Sequence, residues 1–341
     1  MKHWMQRCIL LLALLLTITA SVGAYEVPTD FSEITIDDAV EEFMQAHGLN
    51  ASNFSVSYTN TVTGERYAYN DKAFMVAAST YKLPLNMYYY ELEHQGTMAP
   101  DVYISRVGGT LDEAHYQSLV YSNNDMSIGM LYNLGEFRDY KNLMKRYFTM
   151  PEEEIEYVYY VDNYYCTNMM MDALLHLYEY RADFDEMIGY MKQAQPGEYF
   201  KAGVTDYEVA HKYGVFEGAV NDVGIIYTPQ PFLLAVYTQG VSAQVVSDAA
   251  KLFTAYTLWQ DPPESEGQQL ELEVNYIPDE PAEEEEELPV VELTQQEERP
   301  LDKTAFEWWM VLVALGVFCI GGGIVILMVS KKKKLEEKIK K

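Results

Sequence analysis

The sequence predicts a mixed α/β fold of the α+β kind: a five-stranded antiparallel sheet flanked by terminal helices, with an inserted all-helical subdomain. Three observations predict it. Two short alternating segments follow an amphipathic helix near the start, and three more precede another near residue 260. Between them, about residues 80–200 read mainly as helix interrupted by loops. Runs of strands at both ends of a helical block belong in one sheet, with helices covering its faces.

Taken in order, Ile34 to His47 places Ile36, Ala39, Val40, Phe43 and Met44 at helical spacing, with Thr35 as a cap. Phe54 to Tyr58 alternates as a strand, Thr63-Gly64 makes a turn, and Arg66 to Tyr69 returns as the second arm of a hairpin. A helix starts near Ser79 and runs to about Glu93. Tyr207 to Tyr213, Ala219 to Tyr227 and Phe232 to Tyr237 follow as three strands. Ser242 to Trp259 closes the domain as a helix, with Val245, Val246, Ala249, Leu252, Phe253 and Tyr256 on its apolar face.

The flanks of this 31–260 domain read differently. Lys2 and Arg7 precede an apolar run from Cys8 to Leu16, and Val22-Gly23-Ala24 supplies the small residues of a signal-peptide cleavage site, so 1–24 is expected to be removed. At the other end 308–329 is apolar throughout and long enough to cross a bilayer. Lys331 to Lys334 follow it, and lysines stay on the cytoplasmic side, which makes 330–341 a cytoplasmic tail. The formal charge is −28, and half of it lies in residues 261–300, including the run Glu283 to Glu287. With six prolines among those residues, 261–304 is expected to be an acidic disordered stalk. So acidic a chain is not built to bind nucleic acid. Of three cysteines, Cys8 and Cys319 fall in the flanks and only Cys166 in the domain, which excludes a disulfide framework.

The residues that carry chemistry form three short groups. In Ser79-Thr80-Tyr81-Lys82, positions i and i+3 share a helix face, so Lys82 can reach the Ser79 hydroxyl. A desolvated lysine can take the proton of a serine and make it a nucleophile. Alone the spacing means little: Ser330 to Lys333 repeats it at the membrane exit, where a serine and exposed lysines need no chemistry. Ser122-Asn123-Asn124 supplies a second hydroxyl to relay a proton and an amide to hold a carbonyl. Lys212-Tyr213-Gly214 ends a strand, where a lysine can hold an anion and a small residue lets a substrate backbone approach. The competing Lys201-Ala202-Gly203 lacks strand alternation around it. The histidines have no metal-ligand spacing, and neither metal nor cofactor is implied. Asn50-Ala51-Ser52 and Asn53-Phe54-Ser55 match a glycosylation pattern that is common by chance.

Together these groups resemble the S-x-x-K, S-D-N and K-T-G elements of class A β-lactamases and penicillin-binding proteins. Thr63 to Tyr69 is similar to the first hairpin of class A enzymes, Phe74 to Pro84 to the segment around their nucleophile, and Lys212 to Pro229 to two of their strands. The resemblance implies Ser79 as nucleophile, Lys82 as its general base, Ser122 as proton shuttle and Asn124 as the amide that orients substrate. It implies Lys212 as the residue that recognises a substrate carboxylate, with Tyr213 and Gly214 beside it, and the N–H groups of Ser79 and Val215 as an oxyanion hole.

Four departures qualify it. Tyr213 stands where the family has Thr or Ser, Asn123 stands where it has Asp, and Ser79 and Ser122 are closer in sequence than usual. The E-x-x-L-N segment that provides the deacylating glutamate is missing. Residues 151–167 offer Glu152, Glu153, Glu154 and Glu156 without its flanking pattern, and each reads as solvated surface. The implied function is acyl-enzyme chemistry on β-lactams or D-Ala-D-Ala-like cell-wall peptides. The alternatives are a peptidoglycan peptidase or transpeptidase and a non-catalytic binding module. Nothing in the sequence sets an oligomeric state. If the domain is exterior and the span single, protease added to intact protoplasts removes residues 25–300 and leaves a small membrane fragment; protection of that region would refute the orientation.

Overall fold

The first helix, α1 (Ile36–His47), begins where Thr35 accepts from the Asp38 N–H and Asp38 reaches back to Thr35, a reciprocal cap. It ends at Gly48, whose φ of 65° is the left-handed conformation that glycine adopts without strain. The computed structural model describes residues 25–260. The expected signal segment, stalk, span and tail therefore lie outside the described residues. Among the described residues no helix is long and apolar enough to cross a membrane.

After α1 come β1 (Phe54–Asn60), β2 (Arg66–Tyr69) and the two-residue β3 (Met75–Val76). A one-turn 3₁₀ helix, Ala78–Tyr81, leads into α2 (Lys82–His94). Next are β4 (Tyr103–Ile104), β5 (Gly109–Thr110), α3 (Leu111–Val120), α4 (Asn124–Asn133), α5 (Phe137–Met144) and α6 (Tyr157–Val161). Then follow β6 (Tyr164–Tyr165), α7 (Thr167–Glu179), α8 (Asp185–Lys192) and α9 (Phe200–Gly203). The chain closes with β7 (Val209–Phe216), β8 (Ala219–Ile226), β9 (Phe232–Thr238) and α10 (Ala243–Trp259).

The main sheet has the order β2-β1-β9-β8-β7, with every pair antiparallel. Two strands from one end of the domain thus meet three from the other, as the sequence order implies, and β7 is left as an edge. The competing Lys201-Ala202-Gly203 lies in the short helix α9.

The sheet divides the apolar core in two. One face carries Phe54, Val56, Tyr58, Leu234 and Val236 against Val40 and Phe43 of α1 and Val246 and Phe253 of α10. The other carries Val223, Ile225, Leu233 and Tyr237 against the helical insert, whose interior holds Tyr89, Tyr140, Met170, Leu174 and Met187. The alternation of β1 reads as a half-exposed strand, yet all seven of its residues are buried. Its polar face docks on α7 instead of water. Ser55 and Ser57 both share hydrogen bonds with the Thr167 hydroxyl, at 2.7 and 3.0 Å, which satisfies the hydroxyls that burial desolvates. Tyr89 and Tyr90 are likewise buried core residues.

Phe253 pins α10 to the sheet, stacked on Tyr58 at 5.1 Å between ring centroids and tilted against Tyr67 at 5.8 Å. Removing a fully buried aromatic ring leaves a cavity that the flanking strands cannot close. Phe253→Ala is expected to lower unfolding free energy by about 3–5 kcal/mol in urea melts. A loss under about 1 kcal/mol, the range of an ordinary surface change, would show that α10 lies outside the cooperative unit.

Candidate active site

The segment 76–80 is held by polar side chains from three directions. Asn221 of β8 donates to the Val76 carbonyl at 2.7 Å and accepts from the Thr238 N–H at 2.9 Å, tying the segment to the sheet. Asn163, just before β6, donates to the Ala78 carbonyl at 2.7 Å, while its own carbonyl accepts from the Ala77 N–H. Thr80 donates to the Ala77 carbonyl or shares its hydroxyl with Tyr237, 2.5 Å away and fully buried. These anchors keep Ala78 at a φ of 50°, a left-handed conformation that costs a residue with a Cβ of order 1 kcal/mol or more. The result leaves Ser79 half-buried in the one-turn helix that leads into Lys82 at the start of α2.

Gly214 of β7 faces this turn. A Cβ built on it would lie 2.6 Å from the Ser79 nitrogen and 2.8 Å from the Ala77 carbonyl oxygen, closer than real side chains come. The glycine of the Lys212-Tyr213-Gly214 group is therefore a packing requirement: the edge strand passes against the backbone of Ser79. Val215, next on the strand, is half exposed.

Lys82 and Lys212 are both fully buried, and they converge on one hydroxyl. Lys82 Nζ lies 3.2 Å from Ser122 Oγ, and Lys212 Nζ lies 2.9 Å from the same atom. Lys82 also donates to the carbonyls of Ser122 and Asn123 and to Asn124 Oδ1, at 2.6, 3.3 and 2.8 Å. Lys212 donates to the Tyr213 carbonyl at 2.8 Å. No carboxylate is among these partners. Burial therefore lowers the Lys82 ammonium to about 7. Burial, reinforced by the neighbouring Lys82 charge, holds Lys212 well below the usual lysine value, against the weaker pull of Asp222. Among the described hydrogen bonds of Lys82, none goes to Ser79.

Ser122 itself has a φ of 54°, which turns its carbonyl and hydroxyl together toward Lys82. Asn123 caps α4 by accepting from the Met126 N–H at 3.1 Å. Asp and Asn serve about equally well in that position, which accounts physically for an amide between Ser122 and Asn124. The Tyr213 ring stacks on Tyr199 at 4.8 Å, and its hydroxyl donates to the Gln195 carbonyl at 2.6 Å.

Several supporting residues escaped the sequence reading. Asn86 donates to the Lys82 carbonyl and to Ser118 Oγ, and its own Oδ1 lies 2.8 Å from His115 Nδ1, whose other nitrogen meets Glu93. Ser127 continues the chain from Ser118 to the Asn123 carbonyl. A buried polar ladder thus runs from Glu93 through the insert to the loop that Lys82 holds. Lys141 of α5 is also fully buried, 3.6 Å from the Tyr165 ring centroid and 4.2 Å from that of Tyr159, and donates to the Tyr164 carbonyl at 3.3 Å. It anchors the strand that follows Asn163. The one signal for Asn163 in the sequence is a polar pair, Asp162-Asn163, inside an otherwise aromatic run.

The four glutamates of 151–167 are all exposed. Glu152 pairs with Lys145 and the Tyr160 hydroxyl, and Glu154 with Lys72, each at 2.5 Å. None of their described hydrogen bonds reaches Ser79. Among the described residues no cluster of His, Cys, Asp or Glu is placed to hold a metal. Cys166 is buried, and burial pushes its thiol up to about 12, out of nucleophilic range.

Comparison with known proteins fits this geometry. A family described as the β-lactamase enzyme family matches residues 35–256. No curated protein matches the chain. Among solved structures, a variant of the last common ancestor of Gram-negative class A β-lactamases is 18% identical with a TM-score of 0.55, covering 65% of this chain and 97% of its own. An ancestral class A β-lactamase is 17% identical at a TM-score of 0.55, covering 65% of this chain and 100% of its own. A β-lactamase from Xanthomonas campestris is 16% identical at 0.54, covering 64% and 97%. At such identities these likenesses speak to the fold, and the family match spans most of the domain. The chain belongs to the β-lactamase enzyme family.

Proposed function

We propose that the protein forms an acyl-enzyme at Ser79 with β-lactams or D-Ala-D-Ala-like cell-wall peptides, on the outer side of a membrane to which residues 308–329 anchor it. The observation that carries this reading is the convergence of two buried lysines on Ser122 beside Ser79. An ammonium lowered to about 7 is substantially neutral at physiological pH, so Lys82 can accept the Ser79 proton. The Ser79 oxygen then bonds to the substrate carbonyl carbon, and its oxyanion is met by the N–H groups of Ser79 and Val215. As the C–N bond breaks, Ser122 gives its proton to the leaving nitrogen and recovers one from Lys82. Asn124, already bonded to Lys82, orients the substrate amide.

Deacylation is the weaker half. It needs a positioned water and a base, and general-base assistance typically contributes about 10²–10⁴-fold. Among the exposed glutamates of 151–167, Glu152 and Glu154 are paired with Lys145 and Lys72. This favours a persistent adduct, and with it a peptidase-like or penicillin-binding role over rapid β-lactam hydrolysis.

Two outcomes follow. In intact-mass measurements, penicillin is expected to add its mass to the wild type and not to a folded Ser79→Ala variant, and the adduct is expected to outlast removal of free drug by minutes. Equal labelling of Ser79→Ala would misplace the nucleophile, and loss of adduct within a second would reveal an unrecognised base. The acylation rate should also climb with pH and level off above about 7, because the reactive form is neutral Lys82. A rate that keeps rising toward pH 10 would mean that Lys82 titrates like an ordinary surface lysine.

A further inference from the structure

The acyl-enzyme reading leaves one question that the geometry around Lys212 answers: what the substrate carries on that side. An ammonium has three N–H donors and no acceptor. At Lys212 one goes to Ser122 Oγ at 2.9 Å and one to the Tyr213 carbonyl at 2.8 Å. The remaining direction is covered by the Tyr213 ring, whose centroid lies 4.3 Å from Nζ. That ring is not free to swing aside. It is stacked on Tyr199 at 4.8 Å with only 20° between the planes, and its hydroxyl is bonded to the Gln195 carbonyl. Gln195 is in turn held through its N–H by the Val120 carbonyl, at the end of the helix that leads to Ser122. The lysine is fully buried behind this wall.

A Thr or Ser in place of Tyr213 would add a short hydroxyl donor beside the lysine and leave one ammonium face open, the pair of features that a carboxylate needs. Here both are gone. The surroundings are apolar as well: Tyr121, which precedes Ser122, and Val215 and Phe216, which follow Gly214, each expose about half of their surface.

Resting on acylation at Ser79, we propose that Tyr213 closes the anion subsite and that the preferred acyl donors are uncharged there, such as an internal amide or an ester flanked by apolar groups. Lys212 then serves the Ser122 hydroxyl rather than the substrate, holding it toward Lys82 and the leaving nitrogen. A peptide with a free carboxylate next to the scissile bond would have to desolvate that charge against the Tyr213 ring, so of the substrates proposed above a free D-Ala-D-Ala terminus is disfavoured and an amidated or internal linkage preferred.

The test uses the full-length protein in detergent with two probes that share one reactive ring, benzylpenicillin and its methyl ester, and follows Ser79 adduct formation by mass. The expected result is that the ester acylates at least as fast as the acid in the wild type. Tyr213→Thr is expected to shift the ratio of the two rates toward the acid by about tenfold, the worth of one charge-assisted hydrogen bond. A wild type that reacts tenfold faster with the acid would overturn the proposal while leaving acylation at Ser79 intact. An unchanged ratio in folded Tyr213→Thr would equally overturn it. Absence of any Ser79 adduct from either probe would instead defeat the acyl-enzyme reading, and this inference with it. The wild-type comparison decides even if the variant fails to fold.

Discussion

Two fully buried lysines share one serine hydroxyl in this domain, and no carboxylate is hydrogen-bonded to either of them. Taking a lysine out of water favours its neutral form, and here the low polarity of the surroundings is the chemistry. Much of the architecture serves to maintain that situation. The sheet supplies Lys212 from its edge, α2 supplies Lys82 from its first turn, and the loop before α4 supplies the hydroxyl between them. Ala78 and Ser122 both have left-handed backbone; hydrogen bonds from Asn163 and Asn221 hold the segment around Ala78, and Lys82 holds the Ser122 carbonyl. Sites that depart from local conformational preference while their neighbours obey it are where function is to be sought.

The parts of the fold written in short-range periodicity were legible in the sequence. The terminal helices, the hairpin 54–69 and the three closing strands all appear within two or three residues of their expected ends. The groups around Ser79, Ser122 and Lys212 were legible as well, because S-x-x-K and K-x-G place their residues by local geometry. The reason for Gly214 emerged only in three dimensions, where the Ser79 nitrogen lies 2.6 Å from the position a Cβ would take.

What escaped detection depends on tertiary contact. Asn86, His115, Ser118 and Ser127 form one buried polar ladder, yet they sit on three different helices with no common spacing. Lys141 carries a charge-bearing side chain into an aromatic cage on a helix whose pattern marks that position as unremarkable. The full burial of β1 had the same origin: its serines look solvent-facing until Thr167 arrives from a hundred residues away. A polar residue inside an aromatic run, as at Asn163, is a weak signal in a single sequence and a strong one beside a nucleophile.

Burial lowers Lys82, and the Tyr213 ring lies over Lys212. On the proposed acyl-enzyme reading, the site is prepared for acylation and less so for water attack. The central claim is that Lys82 is neutral near physiological pH because of where it lies. The most direct test is an NMR titration of ¹³C-labelled lysine ε-methylenes in the folded protein, with Lys82 assigned from the resonance lost in Lys82→Met. The account predicts a midpoint near 7 for that resonance. A midpoint at or above the ordinary lysine value of about 10.4 would contradict it.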